Sequence, residues 1–243
     1  MSQPDYRTRL LARYVSTHTS VSGALAGLER RKPYLDRLVR DHFPGDRQAA
    51  ILDLGCGHGA ILWAAGRAGY TNLAGVDASP EQVAAAQQLG VTGVRQGVLD
   101  AALAATPDSS QDVVILFDLL HYFTPEQQFR IADQVRRVLR RGGRWIVHVP
   151  NGEALFGARM RYWDYLATGA FTRASLGQLM SACGFTDIRC FEESPVVHGL
   201  ASAARWFVWK IVRNIARLAL AAETGETDAI FSQLLLGVAI KAG

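Results

Sequence analysis

The 243-residue chain is 49% hydrophobic and 20% charged, with a formal net charge of +4 at pH 7. That length suits one sizeable core rather than two, and that composition excludes a disordered polar chain. The basic residues lie in short scattered runs such as Glu29-Arg30-Arg31-Lys32 and Arg140-Arg141, a distribution that does not point to nucleic acid. Cys56, Cys183 and Cys190 are odd in number and lack metal-site spacing, so neither a disulfide framework nor a bound metal is expected. With no signal-peptide core and no uncharged apolar run of membrane-spanning length, the expected location is the cytoplasm.

Residues 5–43 show helical periodicity, with Leu10, Leu11, Tyr14 and Val15, then Tyr34, Leu35, Leu38 and Val39, at three- and four-residue steps. Tyr14 and His18 share one face of this region, placed either to cap a ligand or to pack. Residues 1–47 are expected to form a helical cap on a main domain of residues 48–243. From Ile51 the pattern becomes a buried strand (51–54), a glycine turn, a helix (60–68), a strand (73–76), a helix (80–89) and a strand (91–95). A strand over 113–117, a helix over 125–139 and a strand over 144–149 follow. Strands separated by helices predict a doubly wound α/β sheet, mostly parallel and covered on both faces.

Residues 151–171 read as an aromatic-rich loop and 172–182 as a helix, so 151–182 is the expected lid and acceptor-binding region. A strand over 186–193, an amphipathic helix over 198–222 and a strand over 229–241 complete the chain. The helix carries Arg205, Lys210, Arg213 and Arg217 on one side, with Trp206 and Trp209 among them. That make-up fits either a sheet-covering helix with a solvated basic face or an interfacial helix touching a membrane through 205–217.

The segment Asp53-Leu-Gly55-Cys-Gly57-His-Gly59-Ala60 sets three glycines at alternate positions between a strand and a helix, where bare backbone and exposed helix N–H groups admit a nucleotide-like ligand. Asp77, ending the next strand, stands where a carboxylate accepts hydrogen bonds from ribose hydroxyls. Gly55, Gly57 and Ala60 also satisfy the loose G-x-G-x-x-[G/A] pattern of nicotinamide enzymes. Asp53 separates the two: an acid there sits badly against a pyrophosphate and suits a ligand bearing an α-ammonium group.

In these residues the chain resembles class I S-adenosylmethionine-dependent methyltransferases, whose first motif reads D-x-G-x-G-x-G. Phe117-Asp118-Leu-Leu-His-Tyr-Phe123 and Leu139-Arg-Arg-Gly-Gly-Arg-Trp-Ile-Val147 resemble the family's later motifs. The resemblance implies a Rossmann-like seven-stranded sheet with an antiparallel last strand, and S-adenosylmethionine held by Asp53, Gly55, Cys56, Gly57, Gly59, Asp77, Ala78, Leu99, Asp100, Asp118 and Leu119. Two departures stand out: Gln96-Gly97-Val98-Leu99-Asp100 lacks the usual glycine-acid pair, and His121-Tyr122 replaces the frequent Glu-His.

The chain is also similar to bacterial methyltransferases associated with surface polysaccharide synthesis, through His148-Val-Pro-Asn151, Ala170-Phe-Thr-Arg173, Val197-His-Gly-Leu200 and Ala222-Glu-Thr-Gly225, although Ala167-Thr168 stands where those relatives carry His-Glu. This implies methyl transfer to a hydroxyl of a sugar or glycan precursor, at the inner face of a membrane. A hydroxyl acceptor calls for a base, for which His148, at the end of a strand, ranks first and His121 second. Tyr122, Asn151, Tyr162 and Asp164 are the expected acceptor contacts. Methylation of another small metabolite and a cofactor-binding inactive partner subunit are the competing functions.

Overall fold

The computed structural model describes residues 6, 9–10, 25–193 and 199–243. Its elements are α1 (Leu25–His42), β1 (Ile51–Leu54), α2 (Ala60–Arg67), β2 (Leu73–Asp77), α3 (Pro80–Gln88), β3 (Val94–Gln96), α4 (Leu99–Ala105), β4 (Gln111–Phe117), α5 (Pro125–Val138), β5 (Leu139–Pro150), α6 (Gly157–Arg161), α7 (Arg173–Ala182), β6 (Phe185–Glu192), α8 (Leu200–Thr224) and β7 (Leu234–Lys241). The strands form one seven-stranded sheet in the order β3-β2-β1-β4-β5-β7-β6. All pairs are parallel except β5 with β7 and β6 with β7. Strand order therefore reverses between β1 and β4, and the crevice at their carboxyl ends is where such sheets bind ligands.

Local chemistry sets the helix starts. Thr124 and Gln127 form a reciprocal capping box before Pro125, Thr172 and Ser175 form another, and Ser79 caps α3 ahead of Pro80. Both sheet faces are covered, which explains the continuous buried apolar run Val113–Leu116 of β4. One core joins Leu52, Val114, Leu116, Val147 and Trp145 to α5 and α7. The other joins Ile51, Val113, Ile115 and Ile146 to α1 and α2.

Several boundaries differ from the sequence pattern. Strand β3 begins at Val94 rather than Val91, because Val91 packs as a buried side chain against Gly59 and Gly93 takes positive φ. Strand β5 starts at Leu139, carrying a bulge across the Arg140–Gly143 stretch before its ladder with β4 resumes. Strand β7 starts at Leu234 rather than Ala229, since the carbonyls of Ile230 and Ser232 accept from the Asn151 side chain. Helix α4 is too short to show periodicity, and α6 lies in the segment expected to be loop.

Helix α8 differs most from its expectation. Arg213 and Arg217 turn inward to Glu192, whose side chain is largely buried. The side left open to solvent is apolar rather than basic. No described helix is long and apolar enough to cross a membrane. Tyr14, His18, Val197 and the first residue of the expected 198–222 helix lie outside the described residues.

Candidate active site

A cavity of about 650 Å³ opens at the β1/β4 reversal, with the glycine turn as one wall and lid residues Met160, Trp163, Asp164 and Leu166 as another. In the turn, Gly55 and Gly57 take φ of 72° and 55°, a left-handed conformation that favours glycine. Gly55 also lies directly under Leu119, where a Cβ would come within 2.7 Å of its side chain. Gly59 has φ of 77° and begins α2, but it faces Val91 and is not in the cavity wall. The need for glycine at this third position therefore comes from its left-handed backbone and its close packing on Val91.

The Asp77 carboxylate accepts from the Gly57 and Ser79 N–H groups at 2.8 Å each, which locks the turn to the end of β2. Burial raises the pKa of Asp77 against the effect of those two bonds. Asp53 lies below, 1% exposed, and neither carboxylate oxygen has a hydrogen-bond partner among the described residues. Burial, helped by the charge of Asp77, pushes its pKa up to about 8. A buried carboxylate without a donor is costly, and a cationic group entering the cavity would relieve that cost. Cys56, Ala78, Leu99, Asp100, Asp118 and Leu119 also line the cavity, with Asp100 at its rim in an exposed ion pair with Arg130.

His148 is 2% exposed and is not in the cavity wall. Its Nδ1 lies 2.5 Å from Asp118 Oδ1 and its Nε2 2.8 Å from Glu193 Oε1. The ring stacks on Phe117 at 3.9 Å, and Glu193 in turn accepts from the Tyr34 hydroxyl. Burial opposes the charge on His148, but the two carboxylates outweigh it and raise its pKa to about 10. The ring is therefore a protonated clamp at neutral pH, and the first choice of base from sequence is corrected on that ground. The charge of His148 holds Asp118 below the usual carboxylate range despite burial.

His121 does line the cavity, and its Nδ1 has no partner among the described residues. Burial lowers its pKa to about 4, so the ring is neutral. Its carbonyl accepts from both the N–H and hydroxyl of Thr168, which ties the lid to this segment. Tyr122 donates to Asp164 at 2.8 Å, and Asp164 accepts from the Leu166 N–H, so two of the expected acceptor contacts meet in the cavity wall. The other two do not reach it. Asn151 is wholly buried, donating to two carbonyls and accepting from the Glu153 N–H. Tyr162 is 77% exposed on the outer side of the lid.

Sequence reasoning missed Arg30, Arg31, His58 and Gln82, all in the wall. The Glu29–Lys32 run was the available signal, read there only as one of several short scattered basic runs. No group of three metal-binding side chains occurs among the described residues.

Residues 51–143 match a family model described as a methyltransferase domain. A search of curated proteins gives no match. Among solved structures, the fold is similar to a SAM-dependent methyltransferase from Archaeoglobus fulgidus, with a TM-score of 0.66, 18% identity, and 90% of this chain and 100% of that one covered. It is similar to an S-adenosylmethionine-dependent methyltransferase from Mesorhizobium loti, with a TM-score of 0.59, 20% identity and coverage of 88% and 100%. It is also similar to phosphoethanolamine N-methyltransferase 2 of Haemonchus contortus, solved with phosphomonomethylethanolamine and S-adenosylhomocysteine. That comparison gives a TM-score of 0.63 and 15% identity, with 97% of this chain and 60% of that one covered. Residues 51–143 thus match a methyltransferase domain, and the chain has the fold of S-adenosylmethionine-dependent methyltransferases. The residues present fit S-adenosylmethionine as the donor, since the unpartnered Asp53 carboxylate is matched by the donor's ammonium group.

Proposed function

We propose that this chain transfers a methyl group from S-adenosylmethionine to a hydroxyl of a sugar or glycan precursor. The observation that carries this reading is a neutral histidine with an unpartnered ring nitrogen, His121, beside the Tyr122–Asp164 pair in the same cavity as Asp53 and Asp77. When bound, the donor supplies a methyl on a sulfonium, which leaves readily, so most of the acceleration comes from alignment. Asp77 holds the ribose, Asp53 the ammonium group, and Arg31 above the turn suits the donor's carboxylate. Asp164 accepts from acceptor hydroxyls, Trp163 and Phe123 offer flat apolar faces to a sugar ring, and His121 takes the proton of the attacking hydroxyl. His148 and Asn151 stand behind the wall, holding Asp118 and the strand ends in place.

The test is titration of the purified protein with S-adenosylhomocysteine, followed by labelled methyl transfer to nucleotide-linked sugars, lipid-linked saccharides and small amines. His121→Ala should keep S-adenosylhomocysteine affinity and slow turnover on a hydroxyl acceptor by about 10²-fold or more. Undiminished turnover removes the base assignment, and transfer to amines alone replaces the hydroxyl reading.

A further inference from the structure

Among the described residues, helix α8 has a broad exposed apolar face. Leu200 is 93% exposed, Leu218 72%, Ile215 62% and Phe207 61%, with Val208, Ile211 and Val212 also exposed. Together with Ala204, Ala219 and Ala222 these residues fall in one arc of roughly 140° at 3.6 residues per turn. The opposite side is fastened down: Ser202 is buried, and Arg213 and Arg217 are paired with Glu192 at the carboxyl end of β6. That end of the sheet also presents Glu193 to His148, so the helix is anchored beside the region that builds the cavity.

Charge marks the edges of this face. Arg205 borders one side and Lys210 lies beyond the other, its Nζ 3.9 Å from the Trp206 ring centroid. Residues 200–222 contain no aspartate or glutamate. An apolar arc with cations at its margins matches the boundary between acyl chains and anionic headgroups. The one carboxylate of α8, Glu223, stands in its last turn, so a second copy laid parallel would set Arg205 against Arg205 and Lys210 against Lys210 with no carboxylate beside them.

We propose that α8 seats the protein on the surface of a membrane containing anionic lipid, with Phe207, Ile211, Ile215 and Leu218 entering the headgroup boundary while Arg205 and Lys210 meet lipid phosphates. The helix lies in the interface plane and does not span the bilayer.

The experiment is flotation of the full chain with vesicles of phosphatidylcholine plus phosphatidylglycerol, set against phosphatidylcholine alone. The protein should float with the first, lose that binding as salt rises, and bind the second weakly. Ile215→Asp and Leu218→Asp should abolish flotation while circular dichroism and S-adenosylhomocysteine affinity stay unchanged, since both side chains are already in solvent. Arg205→Ala combined with Lys210→Ala should weaken binding to the anionic vesicles by about thirtyfold. Failure of the unaltered protein to float with anionic vesicles, or flotation unaffected by Ile215→Asp, overturns the proposal. A stable dimer in sedimentation that Leu218→Asp splits overturns it as well and assigns the face to a second copy.

Discussion

Two buried side chains tie the region of the cavity to pH, both losing stability as pH rises but over different ranges. Asp53 has a raised pKa in the folded protein, so the fold binds a proton there that the unfolded chain has released. Its contribution to stability declines as pH rises from the usual carboxylate range through about 8. A ligand ammonium group favours the ionised form, so S-adenosylhomocysteine should bind with proton release at neutral pH and tighten as pH approaches that value. Calorimetric titration in buffers of different ionisation enthalpy measures the released proton. Asp53→Asn should remove the release and cost about 1.5–3 kcal/mol of affinity. Equal proton release by the variant would place the ammonium group elsewhere. His148 has the same sign over a more alkaline range. Its raised pKa contributes stability that is fully present below the usual histidine value and lost as pH rises through about 10. His148→Ala leaves Glu193 buried and facing Asp118 without a cation, and should destabilise the fold by about 3 kcal/mol at neutral pH, less in alkali. Thermal melts across pH check this, and an unchanged melting curve would remove the clamp.

At the scale of elements, what was legible in the sequence was what is local in the chain. The glycine turn, Asp77 at the end of the next strand, and the starts of α3, α5 and α7 each depend on short stretches of chain, and the structure places them at or within a residue of where the pattern predicts. What was not legible comes from distant segments. His148 looked like a base because Glu193, 45 residues later, was not visible as its second partner. Thr168, in the segment where the resemblance was weakest, ties the lid to the His121 carbonyl across 47 residues. Asn151 looked like an acceptor contact because it follows β5 at the ligand edge, yet it secures the stretch before β7 by donating to carbonyls 79 and 81 residues on. Asn151→Ala strands both carbonyls in a buried place and should cost about 2–4 kcal/mol of stability. Denaturant unfolding measures that loss, and titration of the folded variant should show donor affinity unchanged. A stable variant with weakened acceptor binding would restore the contact inferred from sequence.

For the whole molecule, the sheet order matters more than any single motif. Reversal between β1 and β4 leaves a crevice that helices cannot fill, and the chain places its unpaired carboxylate, Asp53, under that crevice while the surrounding strands are buried on both faces. A fold arranged in this way carries its electrostatic strain where a ligand can relieve it, so ligand binding and global stability are linked through one residue. S-adenosylhomocysteine at a hundredfold its dissociation constant should stabilise the protein by about 2.7 kcal/mol, seen as a concentration-dependent rise in melting temperature. NADH at the same concentration should produce no rise, because its pyrophosphate would face the Asp53 and Asp77 carboxylates rather than a cation. The two ligands share an adenosine, so the comparison isolates the charge carried beyond the ribose. A rise with NADH and none with S-adenosylhomocysteine would return the glycine turn to the nicotinamide pattern that Gly55, Gly57 and Ala60 also satisfy, whereas the expected result makes Asp53 the residue that selects between them.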